Sequence, residues 1–212
     1  MSRIVLACLL LPALGGCSSV PFGHEKVAAI VDPGGRSVAF IPFNGNRAKS
    51  ITLADGITLA ELAAIQLRQA LPNLRVLGPS DMRDTLRLGL DESRWHEIGR
   101  DIGAELLVVG EFTFLETHHD KLLQSREGTV GFKFRVLDVS KFPPKPLANV
   151  NWRFGFPEDV GAKFETQYAS MDTNTFRQHL LRYGAGHVAG TFYDHFVKKR
   201  AAVRLDVSTR KE

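Results

Sequence analysis

The chain has 212 residues and a mass of 23.5 kDa, enough for one large domain or two small ones with a hydrophobic core. Apolar residues make up 44% of the sequence and charged residues 24%, close to the globular average, which excludes a disordered or fibrous chain. The net charge of +4 is too small and too scattered to indicate a nucleic-acid-binding protein.

Both cysteines, Cys8 and Cys17, lie close to the N-terminus. Because no thiol follows Cys17, the rest of the chain contains no disulfide framework, cysteine zinc site, iron–sulfur cluster or cysteine nucleophile. The position of the thiols therefore directs attention to the N-terminal segment.

Residues 1–16 are typical of a secretory signal peptide. Arg3 supplies a positive charge, and the apolar stretch Ile4–Leu14 is shorter than the about 20 residues that span a bilayer. The sequence Leu14-Gly15-Gly16 then stands directly before Cys17, an arrangement that resembles the bacterial lipobox. The resemblance implies that these three residues form the signal-peptidase box and that Cys17 becomes a lipidated N-terminus. An ordinary signal peptide with an accidental cysteine is the alternative.

The lipobox resemblance also predicts where the protein works. Several acyl chains on Cys17 would anchor it stably, and Ser18 in place of an aspartate favours outer-membrane sorting. We therefore expect an outer-membrane, lipid-anchored bacterial protein that faces the periplasm. Residues 17–36, rich in proline and glycine and without long periodicity, are predicted to be the lipidated cysteine and a flexible tether.

The first part of the body alternates strand and helix patterns. Short apolar runs predict buried strands, and apolar residues spaced three and four apart predict helices. In chain order, the predicted elements are a strand at Ser37–Phe43, a helix at Leu53–Leu71, a strand at Leu74–Leu77, a short helix capped by Ser80 and ending at Arg87, a helix at Asp91–Ile102 closed by Gly103, and a strand from Leu106 through Phe114.

In the second part of the body the apolar period changes to two, which predicts antiparallel strands with one buried face. The alternating apolar residues are Val130, Phe132, Phe134 and Val136, then Val150, Trp152, Phe154 and Phe156. A proline-rich turn, Phe142–Pro146, links the two runs. After a polar stretch, a long final helix is predicted from Asn174 to about Arg200, with Phe192 and Phe196 on its core face.

This order, β-α-β-α-α-β-β-β-α, predicts an α/β (α+β) domain in which three to four helices pack on a mixed sheet of about five strands. We expect a single domain over residues 37–200, followed by a basic C-terminal tail at residues 201–212. The run Lys198-Lys199-Arg200 adds to this basic end. Contact with anionic lipid or glycan is one interpretation, and a solvated helix terminus is the more usual one.

Three segments of the body carry a family resemblance: Val38–Phe43 with Asn44-Gly45, then Leu74–Leu77, then Ile102–Gly110. Their succession resembles the periplasmic α/β domain of the curli-secretion (CsgG-like) lipoproteins. It is similar also to lipoprotein activators of penicillin-binding proteins and to the N-terminal domain of the Tol–Pal propeller protein. The resemblance implies a non-enzymatic envelope module. In it, Pro42 would end the first strand at the sheet edge, Gly103 would cap a helix and Gly110 would permit close packing.

The connection Glu116–Thr129 departs from that family. A pore-forming lipoprotein needs hairpins whose membrane strands have about 9–11 residues, whereas this connection is polar and has no alternating apolar band. It contains the only metal-like cluster, His118-His119-Asp120, which converges only if it lies in a loop; we expect a solvated loop. An oligomeric subunit of a curli-type secretion channel remains the alternative function.

No catalytic or cofactor motif is assembled in the sequence. The seven histidines include no pair four residues apart, so we expect no metal site and interpret His179, His187 and His195 as surface or boundary residues. Gly184–Ala189 formally matches a dinucleotide-binding pattern but lies within a helical pattern, which favours close helix packing. We expect neither catalytic residues nor a cofactor.

The predicted function is thus a binding or scaffold module in cell-envelope assembly. Its expected partners are the lipid bilayer, through acylated Cys17, and an envelope protein or a second copy of the chain. A ligand-binding or enzymatic domain without a recognisable site is the second alternative. The aromatic run Phe192–Phe196 can be an exposed contact, although core packing is the favoured interpretation.

Overall fold

The computed structural model describes residues 24–45, 51–87, 91–120, 125–156, 168, 170–198 and 206–208. The predicted signal peptide, the peptidase box Leu14-Gly15-Gly16, the lipidated Cys17 and the sorting residue Ser18 lie outside the described residues. These four features therefore stay predictions.

The described strands form one six-stranded mixed sheet and one two-stranded ribbon. They are β1 (His24–Val27), β2 (Val38–Phe40), β3 (Val76–Leu77), β4 (Leu106–Asp120), β5 (Ser125–Asp138), β6 (Lys145–Phe156), β7 (His195–Lys198) and β8 (Asp206–Ser208). The sheet order is β3-β2-β4-β5-β6-β8; β2 is parallel to both neighbours and the remaining pairs are antiparallel. The ribbon joins β1 to β7.

Four helices accompany these strands in the described part of the chain: α1 (Leu53–Ala70), α2 (Arg83–Arg87), α3 (Trp95–Ile102) and α4 (Thr173–Ala189). Together with the mixed sheet they confirm the predicted α/β (α+β) class. The sheet has one more strand than expected, because the predicted tail contributes the three-residue β8.

Helices α1 and α4 cover one face of the sheet, which we call the closed face. Leu59, Ala63 and Leu67 of α1 are fully buried there, as the predicted apolar spacing requires. The N-terminus of α1 is held by a capping box, in which Thr52 and Asp55 satisfy each other's backbone amides. Asp55 also accepts two hydrogen bonds from Arg177 of α4, at 2.7 and 2.8 Å, so the two helices are joined by a buried ion pair.

Helix α3 covers only one end of the opposite face. Trp95 and Ile98 pack there on Leu107 and Val109 of β4 in a second, smaller cluster. Gly103 ends α3 with a φ of 66°, a left-handed conformation that glycine adopts at little cost, as predicted. Beyond this cluster the face is not covered by any described helix, and we call it the open face.

Gly110 permits the close packing expected of it. A Cβ at that position would lie 2.5 Å from the Phe43 ring, so any side chain would push the strands apart. Two other expectations need correction. Strand β2 ends at Phe40, before Pro42, but lies inside the sheet rather than at its edge. The short turn before α2 is capped by Asp81, which accepts from the Gly78 amide, rather than by Ser80.

The predicted flexible tether is wrong for residues 24–36. Strand β1 pairs with β7, and the amides of Ile30 and Val31 donate to the Thr191 carbonyl. Arg36 then forms an ion pair with Asp138 at 3.3 Å. Residues 24–36 therefore pack onto the domain, because their backbone amides and carbonyls form hydrogen bonds with residues that are distant in the sequence.

The final helix is shorter than predicted. It ends at Ala189 instead of near Arg200, and a 3-10 turn, Gly190–Phe192, leads into β7. Phe192 is buried as expected, but Phe196 is 49% exposed and lies outside the core. The helix ends here because the backbone of β7 forms its hydrogen bonds with β1 and not within a helix.

The predicted polar loop Glu116–Thr129 is also wrong, since β4 runs to Asp120 and β5 starts at Ser125. The register continues through Leu115↔Val130 to Asp120↔Ser125, so the two strands form a long hairpin. Leu115 and Val130 are buried whereas Glu116 and Glu127 are exposed, which is the alternation of a strand with one covered face.

Candidate functional site: a groove on the open face of the sheet

The open face is built by the residues that alternate with the buried aromatic positions. Lys133 and Arg135 stand between Phe132, Phe134 and Val136 in β5, and side chains on a strand point alternately to its two faces. The buried set therefore points into the core and leaves the charged set in solvent.

The strand register gathers polar residues from distant parts of the chain into rows. One row places Glu111 of β4 opposite Lys133, and Lys133 opposite Asn151 of β6. The next row places Arg135 between Val109 and Asn149. Directly opposed residues on adjacent strands have Cβ atoms about 4.5–5.5 Å apart, so each row forms a continuous strip across the sheet.

These rows form the floor of a groove with a volume of about 920 Å³. Leu86 and Trp95 form one wall, next to Glu92. Pro42, at the carboxyl end of the β2 segment, and Leu53, the first residue of α1, form the other. A concave site with apolar walls and a few convergent polar groups is the usual form of a binding site in proteins.

The charged groups of the groove are arranged in pairs of opposite sign. The Lys133 ammonium lies 2.6 Å from Glu111, and the Arg135 guanidinium lies 2.9 Å from Glu92. All four side chains keep substantial exposure, from 28% for Glu111 to 74% for Glu92. Asn149 and Asn151 are exposed beside them and offer both donors and acceptors. The floor is therefore suited to polar recognition.

Next to the groove, an arginine lies over an aromatic ring. The Arg153 guanidinium carbon is 4.6 Å from the centre of the Phe114 ring, within cation–π distance. Gly131 of β5 lies between Phe114 of β4 and Arg153 of β6, and a Cβ at position 131 would lie 2.5 Å from the Phe114 ring. The missing side chain lets the ring lie against the sheet, so the open face continues beyond the groove as a flat platform.

The sequence-derived candidates do not form this site. His118 and His119 are consecutive residues of β4 and so point to opposite faces, which prevents the two imidazoles from converging on one metal ion. Within the residues that the structure describes, no group of three His, Cys, Asp or Glu side chains is placed to hold a metal ion. The glycine pattern Gly184–Ala189 lies within α4, where Gly184 packs against Phe132 and Leu59.

His187 is a buried residue, whereas the sequence interpretation placed it at the surface or at the boundary of the core. Its ring lies 4.6 Å from that of Trp152 and 4.8 Å from those of Phe154 and Tyr183, and it is 9% exposed. Neither of its nitrogens has a hydrogen-bond partner among the described residues. Burial, and secondarily the nearby His195, lower the pKa of His187 to about 4. The ring is therefore neutral and contributes to packing between α4 and β6.

No described helix is both long and apolar enough to cross a membrane. The sequence matches no family model, and a search of curated proteins gave no match.

Several solved structures are similar to the chain at low identity. The hypothetical protein CT253 from Chlamydia trachomatis is 16% identical, with a TM-score of 0.42 over 74% of this chain and 96% of that one. A PelC dodecamer from Paraburkholderia phytofirmans is 13% identical, with a TM-score of 0.45 over 80% and 96%. The lipoprotein GNA1162 from Neisseria meningitidis is 15% identical, with a TM-score of 0.42 over 66% and 96%. Similarity at this level assigns neither a family nor a function.

Proposed function

We propose that the protein is a lipid-anchored, non-enzymatic binding module that serves in assembly of the bacterial cell envelope. Acyl chains on Cys17 hold it in the outer membrane, the folded domain faces the periplasm, and a partner protein occupies the groove on the open face. The observation that carries the proposal is the groove itself: a volume of about 920 Å³ with apolar walls and a floor of paired charges and carboxamides.

The composition of the groove favours recognition over catalysis. Chemistry needs an acid, base or nucleophile directed at a reacting atom, whereas Lys133 and Arg135 are each directed at a carboxylate partner. Protein interfaces combine an apolar centre with a polar rim that provides about one hydrogen bond per 100–200 Å². Leu53 supplies exposed apolar surface, and Asn149 and Asn151 supply exposed hydrogen-bond donors and acceptors beside it.

Site-directed photo-crosslinking in cells tests the groove. A photoreactive residue replaces Asn151 on the groove floor; the matched control replaces Ile65, an exposed residue of α1 on the other side of the sheet. We expect a discrete adduct from position 151 and none from position 65. Equal adducts from both positions, or none from position 151 in membranes that contain the protein, would contradict a partner in the groove.

The mass of the adduct separates the alternatives. An adduct with a different envelope protein supports the scaffold role. An adduct at twice the chain mass, with detergent-extracted protein that runs as a large oligomer, would favour the subunit of a curli-type secretion channel instead. Thermal stabilisation by a metal or nucleotide would favour a ligand-binding or enzymatic domain, because a ligand of the native state raises its apparent stability.

The anchor is tested separately. The Cys17→Ala variant should move from the membrane to the soluble fraction, since one residue carries all the acyl chains in a lipobox protein. Persistence in the membrane without a change in mass would show that the lipobox interpretation is wrong.

A further inference from the structure

The ribbon of β1 and β7 lies close, along the chain, to the proposed lipid anchor. Cys17 and His24, the first residue of β1, are separated by 24 − 17 = 7 residues. A fully extended chain covers at most about 3.3–3.6 Å per residue, so the ribbon lies no more than about 25 Å from the bilayer surface. A flexible tether over all of residues 17–36 would instead allow the domain to lie more than twice as far from the bilayer.

A cationic run begins in the sequence at the same end of the ribbon. The register pairs His24 with Lys198, so the lipid-bearing segment enters beside the last residue of β7. Lys199 and Arg200 follow Lys198 directly in the sequence. Lysine and arginine residues close to an anionic membrane surface are attracted to its headgroups. In the sequence, the cationic run therefore begins at the ribbon residue that pairs with His24, the residue seven positions after the proposed anchor.

The ribbon also exposes apolar surface at this position. Phe196 is 49% exposed although it is a large aromatic residue, and it stands opposite Lys26 in the register. The Lys26 side chain is 58% exposed and its ammonium lies 2.6 Å from Asp194. Aromatic residues flanked by cationic ones are typical of protein segments at the level of lipid headgroups.

We propose that the β1–β7 ribbon docks on the anionic surface of the bilayer that holds the acyl chains, with Phe196 at the headgroup level. This inference rests on the lipid anchor of the proposed function. It adds an orientation: the ribbon end of the domain faces the lipid, and a short anchor together with this contact prevents free rotation.

Fluorescence quenching by brominated lipids tests this orientation. The acylated full-length protein with Phe196→Trp is reconstituted into vesicles of phosphatidylcholine and phosphatidylglycerol with brominated acyl chains. The control carries Phe142→Trp, in the turn between β5 and β6, where the native side chain is 77% exposed. The native Trp95 and Trp152 are buried, and their signal is subtracted using the unsubstituted protein.

We expect at least twofold stronger quenching for Phe196→Trp than for Phe142→Trp. The difference should shrink in vesicles without phosphatidylglycerol and in 0.5 M salt, because the attraction to anionic headgroups is then removed or screened. Equal quenching at both positions, or none at position 196, overturns the proposed docking.

A parallel fractionation distinguishes failure of the docking from failure of the anchor. If Cys17→Ala releases the protein but Phe196→Trp is not quenched, the anchor stands and the docking is wrong. If the native chain is not acylated, the same two tryptophan variants are added to preformed vesicles without acylation. Selective quenching at position 196 then supports a docking surface independent of the anchor, and its absence overturns the docking as well.

Discussion

The closed and open faces of the sheet are made by neighbouring residues of the same strands, yet they differ in burial and in polarity. On the closed face Phe132 is fully buried and packs edge-to-face on Phe43 and Phe154, with ring centres 6.0 and 5.9 Å apart. On the open face the side chain of the next residue, Lys133, is 49% exposed and pairs with the carboxylate of Glu111, which is 28% exposed. The alternation of a strand thus directs one set of side chains into the core and the other into solvent.

Polar groups follow the same division. The closed face encloses the uncharged, buried ring of His187 and the ion pair of Asp55 with Arg177, whose side chains are only 9% and 20% exposed. The open face holds its ion pairs in water. Because a charge pair is worth more, and costs more to break, where water is excluded, similar pairs on the two faces should differ several-fold in their effect on stability.

The largest contrast is expected between two adjacent residues of β5. Phe132→Ala removes a fully buried ring and leaves a cavity, which should lower the free energy of unfolding by about 3–5 kcal/mol. Lys133→Ala removes an exposed side chain and should change it by less than about 1 kcal/mol. Urea denaturation followed by circular dichroism measures both. Similar losses for the two variants would show that the open face is packed.

The buried and exposed faces of β5 and β6 could be predicted from the sequence because the pattern that defines them lies within each strand. The apolar residues Val130, Phe132, Phe134 and Val136 recur at every second position, and only an extended strand places them all on one side. Helices α1 and α3 were predictable for the same reason, from apolar spacing and from Gly103 at the end of α3.

The ribbon and the groove could not be predicted because their determinants are distant in sequence. Phe192 and Phe196 are four apart, which fits a helix, and only the pairing of β7 with β1, some 170 residues earlier, makes that segment a strand. In the groove, Glu111, Lys133 and Asn151 become neighbours through strand register. Nothing in the local sequence around any one of them indicates the other two.

The buried ion pair offers the next test. Arg177→Leu removes the partner of Asp55 and leaves its carboxylate buried, which should cost about 3 kcal/mol. Hydrogen bonds from Arg177 and Thr52 outweigh burial and lower the pKa of Asp55 to about 2. The pair's contribution is therefore complete above pH 3.8 and is lost as the pH falls towards 2.

The matched control is Glu97→Ala, which breaks the exposed pair of Glu97 with Arg94 at 3.1 Å. It should cost less than about 1 kcal/mol. Both variants are compared by thermal and urea unfolding at pH 7. A loss for Arg177→Leu as small as the control's would mean that water reaches Asp55.

The stability contributed by His187 should also depend on pH, and the loss should start at a higher pH than the loss from the Asp55–Arg177 pair. Burial lowers the pKa of this ring from 6.5 to about 4, so the unfolded chain binds its proton first as the pH falls. Stability contributed by the neutral ring is complete above pH 6.5 and declines by up to about 3 kcal/mol as the pH approaches 4. His195 and Tyr183 are the titratable groups that face the ring.

The variant His187→Leu should flatten this part of the stability profile, whereas His118→Gln, at an exposed position of β4, should leave it unchanged. Urea unfolding at intervals between pH 7 and pH 4.5 measures the slope. An unaltered slope in His187→Leu would assign the acid sensitivity to another group.

The smallest effect is expected from the ion pair on the groove floor. A double-mutant cycle of Glu111→Ala and Lys133→Ala should give a coupling energy of about 0.2–1 kcal/mol, although the two charged atoms are 2.6 Å apart. Water screens the attraction, and ordering two long side chains offsets part of the gain. A coupling above about 2 kcal/mol would mean that the floor is shielded from water in the isolated protein. The open face would then already be occupied, and a partner could enter the groove only by displacing what covers it.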